Sequence, residues 1–197
     1  MSVEKVMALI KEKFGLEVEN PYPRRLRVRI PSEGKSEEER RQLLRDLLEY
    51  AKEIGFQHMS FITCVDFIKE GRFELNYGLW SYTIPTMLVV KYDLDRENPK
   101  HITVVDIWKP AKTWEQEVHE MFGVEFDGNP RSFEPYVLED WDSIPPLRKD
   151  FDPVQYLKEH PMQGAGYDPL PYINLVEKKL DEPVKEEEIG GEEGANS

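Results

Sequence analysis

Apolar positions near the N-terminus recur with a helical period. Val3, Val6, Met7, Ile10 and Phe14 share one face and Gly15 supplies a stop, so the spacing predicts a helix over 3–14. The stretch RRLRVRI switches to a period of two. Leu26, Val28 and Ile30 point to one side and Arg25, Arg27 and Arg29 to the other, as in a strand with one buried face. Ser36 and Glu39 have the spacing of a capping box. Behind them Leu43, Leu44, Leu47, Leu48, Ala51 and Ile54 trace a second helical stripe, which Gly55 ends. Three strand candidates follow: Met59 to Phe67, Arg72 to Trp80, and Ile84 to Tyr92. The link KEGR is short and contains Gly71, which makes the first two a hairpin; the link around Ser81 lets the third continue the meander. Ile102 to Trp108 is a further candidate strand. Strands in succession with short links, flanked by helices, give an α+β fold: a largely antiparallel or mixed sheet with helices on one face.

Pro110 breaks this pattern, and WEQEVHEMFGVEFDGNP follows it. Thr113 and Gln116 have capping-box spacing, so the helix is expected to begin at Trp114. Trp114, Val118, Met121 and Phe122 share a face, Glu117 borders it, and Gly123 is the stop. Glu115 and His119 sit four apart on a flank; Gln116 and Glu120 sit four apart on the outer side. A metal would need a third protein ligand beside Glu115 and His119, and the H-E-x-x-H motif is missing. Glu115 and Glu117 are two apart and do not face each other, which argues against an acid–base pair. The default is a solvated or partner-contacting helix face.

Beyond Pro130 the chain changes character. Nine of the 15 prolines fall between Pro130 and Pro183, too dense for long helices or central strands. The same segment holds Phe133, Tyr136, Trp141, Phe151, Tyr156, Tyr167 and Tyr172, whereas disordered linkers are poor in aromatics. It therefore reads as an extended arm lying on a surface, its own sheet or a partner's. From Asp181 to Glu193 there are seven acids and one base. The expected layout is a core domain over 1–128, an arm over 129–180 and an acidic, solvated tail over 181–197.

Composition narrows the function. The net charge of −13 disfavours nucleic acid and anionic lipid as partners. No apolar run reaches the roughly 18 residues of a membrane helix, and the first residues lack the apolar core of a signal peptide, so no direct membrane insertion is expected and the chain reads as intracellular. A single cysteine, Cys64 in the apolar run FITCVDF, excludes an internal disulfide and a four-thiolate cluster or zinc site. No serine or cysteine nucleophile signature is present. The Arg25/Arg27/Arg29 row fits either a solvated sheet face or a grip on an acidic partner. Arginine and apolar anchors in PPLRKDF fit an interface; the plainer alternative is a loop closing over the core.

The run DIWKPAKTWEQEVHEMFGVEFDGNP, followed by PLRKDF, resembles the family of the 30-kDa subunit of respiratory complex I. Its signature is approximately W-x-E-R-E-x-x-D-M-F-G-I-x-F-x-G-H-P, then a tryptophan and P-L-R-K-D-F. Glu115, Glu117, Met121, Phe122, Gly123, Phe126, Gly128, Pro130, Trp141, Pro146, Leu147, Arg148, Lys149, Asp150 and Phe151 match it, and Trp114 stands one position after the signature's first tryptophan. The upstream strand pair, Val65 to Leu79, is also similar, so the resemblance spans about Phe61 to Phe151. The departures are Gln116 for arginine, Glu120 for aspartate and Asn129 for histidine; Arg131 to Glu134 also stand where the family has D-L-R-R. They look like the branch found in membrane-bound [NiFe] hydrogenases and related archaeal sulfur-reducing complexes. Abundant lysine and glutamate suit a thermophile.

The resemblance implies a subunit that binds no cofactor and is non-catalytic by itself. It would sit in the peripheral arm of an ion-pumping, membrane-bound redox complex, on the cytoplasmic side. Its partners would be a hydrogenase-like large subunit and an iron–sulfur small subunit, with the matched residues from Glu115 to Phe151 at the interface and the arm wrapped around the large subunit. A 30-kDa subunit of a quinone-reducing complex I is the nearest alternative. A free-standing acidic metalloenzyme using Glu115, Glu117 and His119 is the remote one.

Overall fold

The computed structural model describes residues 2–160. Helix α1 (Val3–Phe14) begins where the Ser2 hydroxyl accepts from the Lys5 N–H and ends where Gly15 turns to φ 67°. Strands β1 (Val18–Tyr22) and β2 (Arg25–Arg29) form an antiparallel pair, with Arg24 at φ 63° in the turn. Helix α2 (Glu37–Glu53) starts in the expected capping box: Ser36 accepts from Glu39 N–H, and the Glu39 carboxylate accepts from Ser36 N–H. Strands β3 (His58–Phe67), β4 (Arg72–Ser81) and β5 (Thr86–Asp95) form the meander. β5 starts two residues later than its apolar run suggested, because Ser81 accepts from the Ile84 N–H and holds 81–84 in a turn.

The main sheet runs β1-β2-β5-β4-β3 and is mixed: β2 lies parallel to β5, from Arg25 opposite Met87 to Arg29 opposite Lys91. Its core face presents Leu26 and Val28, Leu88, Val90 and Tyr92, then Phe73, Leu75, Tyr77 and Leu79, then Ile62 and Cys64. The stripes of α1 and α2 (Val6 and Ile10; Leu44, Leu47, Leu48 and Ala51) close over it in one cluster. Burial pushes the Cys64 thiol far up, so it is an inert apolar group. On the opposite face two arginines of the row find partners in their own sheet. Arg27 pairs with Glu19 at 3.3 Å, and Arg29 pairs with Asp93 at 2.8 Å and with Glu74. Gly78 is required there, since a Cβ would stand 2.4 Å from the Phe61 ring.

Two expectations need correction. The run Ile102 to Trp108 is not a strand. The strand β6 is Lys100–Ile102, paired in parallel with β7 (Glu125–Asp127), and the chain then turns. The N–H groups of Ile107 and Trp108 both donate to the Val104 carbonyl, which drops Val104, Ile107 and Trp108 into the core from a turn. The second correction concerns the next helix, α3, which spans Ala111–Phe122 and starts a turn before Trp114. Pro110 occupies its N-cap, and no side chain caps it.

The chain divides into two units, Met1–Phe151 and Asp152–Ser197. Residues 129–151 thus belong to the first unit. In the second, helix α4 (Pro153–Glu159) is capped by the Asp152 carboxylate, which accepts from the Val154 and Gln155 N–H groups. The rest of the expected arm, 161–180, and the acidic tail, 181–197, lie outside the described residues.

Candidate partner-binding site

Helix α3 packs along β3 with Val118 and Phe122 buried, and Phe122 meets Phe73 edge-on at 6.1 Å. Its polar side chains do not face solvent as the spacing implied. Gln116 does not complete a capping box with Thr113. Its amide donates to the Glu134 carbonyl at 2.9 Å and the Pro135 carbonyl at 3.1 Å. One turn on, the Glu120 carboxylate accepts from the N–H groups of Tyr136, Val137 and Leu138 at 2.7, 3.0 and 3.2 Å. Together the two side chains fold 134–138 back onto the helix.

Glu115 is fully buried. Its carboxylate accepts from the Thr103 hydroxyl at 2.6 Å, the Val104 N–H at 2.8 Å and the Asn129 amide at 2.8 Å. Burial raises its pKa to about 6, against the opposing pull of those three donors. Asn129 also donates to the Lys112 carbonyl at 3.1 Å and accepts from the Arg131 N–H at 2.9 Å. Glu115 and Asn129 therefore join three pieces of chain: the turn after β6, the start of α3 and the turn after β7. Glu115 and His119 do not converge, because His119 Nδ1 lies 2.9 Å from the Val124 carbonyl. Among the described residues no group of three His, Cys, Asp or Glu could hold a metal ion.

The PLRKDF segment has its own anchor. Asp66, fully buried at the end of β3, takes a two-pronged ion pair from Arg96 at 2.8 and 3.0 Å and the Lys149 N–H at 2.8 Å. Arg96 also reaches Asp150 at 2.7 Å. Burial alone would raise the Asp66 carboxyl; the Arg96 guanidinium and the Lys149 N–H outweigh it and hold the carboxyl below its usual range. The Leu147 N–H donates to the Met121 carbonyl at 3.1 Å, which ties the segment to the end of α3. Arg148 lies over the Phe73 ring, 5.6 Å from its centre, and pairs with Asp150. Trp141 packs on Phe151 at 5.4 Å and donates to the Ile144 carbonyl.

The signature residues thus part into two sets. Glu115, Phe122 and Phe126 are interior, and Asp150 serves the Arg96 anchor. Gly123, at φ 82°, closes α3 through its N–H to the His119 carbonyl. Gly128, Pro130, Leu147 and Lys149 are exposed; Glu117, Pro146, Arg148, Trp141 and Phe151 are half-buried. Around them stand side chains that no motif marked: Phe133 at 75% exposure, Val137 at 63%, Tyr136 and Ile144. The only sequence signal for these was the apolar and aromatic content of a proline-rich segment. Asp66 and Arg96 carried no signal, since their roles depend on contacts with distant parts of the chain; Glu120 stood at the signature's aspartate position, but its bonds to 136–138 were not legible there.

This geometry can be set beside known proteins. The family described as respiratory-chain NADH dehydrogenase, 30 Kd subunit, matches residues 38–157, more than half of the chain. The chain belongs to that family. A subunit of the F(420)H(2) dehydrogenase of Methanosarcina mazei is 32% identical over 114 residues, covering 55% of this chain and 69% of that one. A double-lettered (C/D) polypeptide of the NADH-quinone oxidoreductase from Phocaeicola vulgatus is 30% identical over 139 residues, covering 67% of this chain and 27% of that one. Among solved structures, a chain of the membrane-bound sulfane sulfur reductase, an archaeal respiratory membrane complex, superposes with a TM-score of 0.70 at 34% identity, covering 84% of this chain and 94% of that one. The family match runs from α2 into α4, so both anchors and the exposed apolar segment lie within it.

Proposed function

We propose that this chain is the cofactor-free structural subunit of the hydrophilic arm of an ion-pumping redox complex, and that residues 117–151 dock it onto a hydrogenase-like large subunit, beside an iron–sulfur small subunit. Family membership already makes it a subunit of a complex I-like or related archaeal membrane complex. No helix of the described residues is long and apolar enough to cross a membrane. The attachment is proposed to be peripheral, and its side the cytoplasmic one, as the family resemblance implies.

The observation that carries the proposal is the set of exposed apolar side chains in one short segment of chain: Phe133, Tyr136, Val137, Ile144 and Leu147. Exposed apolar side chains concentrated in one segment favour an interaction surface there, and the segment's backbone is held by Glu120, Gln116 and Asp66. A prearranged surface loses less entropy on association. The double-lettered relative lends support: this chain matches about a quarter of it, which leaves room for a second subunit in the same polypeptide.

The test is affinity purification of the tagged full chain from its native membranes. A large chain and an iron–sulfur chain should co-purify in stoichiometric amounts. A monodisperse monomer with no partner overturns the proposal. The partner's sequence then separates the branches. Paired C-x-x-C motifs indicate a hydrogenase; their loss indicates a sulfur- or quinone-reducing complex, and the name of the Phocaeicola relative favours the quinone-reducing alternative.

A further inference from the structure

The two edges of the main sheet are built differently. β1 is a short edge strand, VENPY, with Pro21 inside it and an irregular register between Glu19 and Tyr22. Proline and irregularity are what keep an edge from pairing with another chain. β3, at the other edge, is 10 residues long, and HMSFITCVDF contains no lysine, arginine or proline. It pairs with β4 alone, and among the described residues no other backbone group bonds to its outer side. Its one bulge lies at the start, between Met59 and Phe61, and its terminal acid, Asp66, is neutralised by Arg96. From Phe61 to Val65 the edge is regular and bare.

A groove of about 340 Å³ runs between this edge and α3, lined by Phe61, Thr63, Trp114, Glu117, Met121 and Leu147 among others. Its walls are mostly apolar. Glu117 is the exception: it is half-buried, and among the described residues its carboxylate has no ion pair or hydrogen bond.

We infer that β3 takes up an extended segment of a neighbouring subunit as a sixth strand, with that segment's alternate apolar side chains in the α3 groove and a lysine or arginine against Glu117. The unmade ladder bonds of β3 call for a backbone, not a helix face or a small molecule. The period of two supplies apolar side chains on one side of the incoming strand. The unpaired Glu117 supplies the charge preference. The inference rests on the proposed role as a complex subunit and adds the mode of attachment to it.

Hydrogen exchange on the full chain, alone and in the complex purified from native membranes, tests it. The outward amides of β3 should exchange at least about tenfold more slowly in the complex, with no such change in β1. Glu117→Lys should cut partner recovery about tenfold while the chain's melting temperature holds. Partners that co-purify with β3 amides unprotected overturn the sixth strand and leave the subunit role standing. No co-purification at all overturns both. Equal β3 protection in the chain alone, rising with concentration, would mean a second copy occupies the edge and likewise overturns the inference.

Discussion

The sheet and the segment that follows α3 are built on opposite plans. In the sheet, apolar side chains point inward and the charges of Arg29, Glu74, Lys91 and Asp93 lie on the other face. From Asn129 to Asp150 the order is reversed. Asn129 and Ser132 are buried, whereas Phe133, Tyr136, Val137, Ile144 and Leu147 stand in solvent. The sheet is held by burial of apolar surface, which any shape-compatible side chain supplies. The segment is held by directed bonds: Glu115 to Asn129, Glu120 to three backbone N–H groups, and Asp66 to Arg96 and Lys149. Directed bonds fix a backbone while leaving its apolar side chains free, as a docking surface requires.

The strongest way to break this contrast is to remove one anchor. Arg96→Ala leaves Asp66, fully buried, without its guanidinium, and an orphaned buried charge costs about 3–5 kcal/mol. Chemical denaturation should show that loss, and residues 147–151 should become cleavable by protease at native temperature. Asp66→Asn combined with Arg96→Met removes both charges together and should recover much of the stability. If the single and double variants unfold alike, the ion pair is not what holds the segment.

The Glu115 anchor predicts a pH effect of opposite sign to the usual carboxylate. Its folded pKa is raised from an ordinary 4.5 to about 6. A raised carboxyl pKa means the native state holds the proton more tightly than the unfolded chain does. Its contribution is therefore most favourable below pH 4.5 and is lost as pH rises toward 6, a fall of about 2 kcal/mol. Asp66 behaves the other way: its depressed pKa adds stability above the ordinary aspartate range, lost as pH falls. The difference in unfolding free energy between the wild type and Glu115→Gln, followed from pH 4 to 7, isolates the Glu115 term. Glutamine also brings two donors to a place where Thr103, Val104 and Asn129 all donate, so the variant should be less stable by about 1–3 kcal/mol at pH 7. A pH-independent difference would show that Glu115 is not raised.

How far the sequence announced this arrangement depends on what holds each part. α1, α2 and the β3–β4 hairpin were legible because each has a burial period that matches its own geometry. β1 was not: VENPY has one buried residue and a proline, and it is a strand only because β2 offers it a ladder. The start of α3 was misread because Thr113 and Gln116 have capping-box spacing, while Gln116 serves the 134–135 carbonyls instead. Glu115 looked like a surface acid at i, i+4 from a histidine. Its burial depends on Thr103 and Asn129, which flank it at a distance no helical period encodes. Among the site residues, the motif found the right segment but could not separate its anchors from its exposed side chains.

The smallest expected change in stability is also the sharpest test of the contrast. Leu147 is 53% exposed, and its backbone, not its side chain, makes the bond to Met121. Leu147→Asp should leave the unfolding free energy of the isolated chain within about 0.5 kcal/mol of the wild type, as for other exposed positions. The same substitution puts a charge into the mostly apolar groove that Leu147 and Glu117 both line. Recovery of the partner subunits should therefore fall, and raising the salt concentration should not restore it, because desolvating the new carboxylate rather than long-range repulsion sets the loss. Full partner recovery with Leu147→Asp would mean that the exposed apolar segment is not the docking surface. A large drop in stability would mean that Leu147 belongs with the sheet's plan after all, and that the boundary between the two regions lies C-terminal to it.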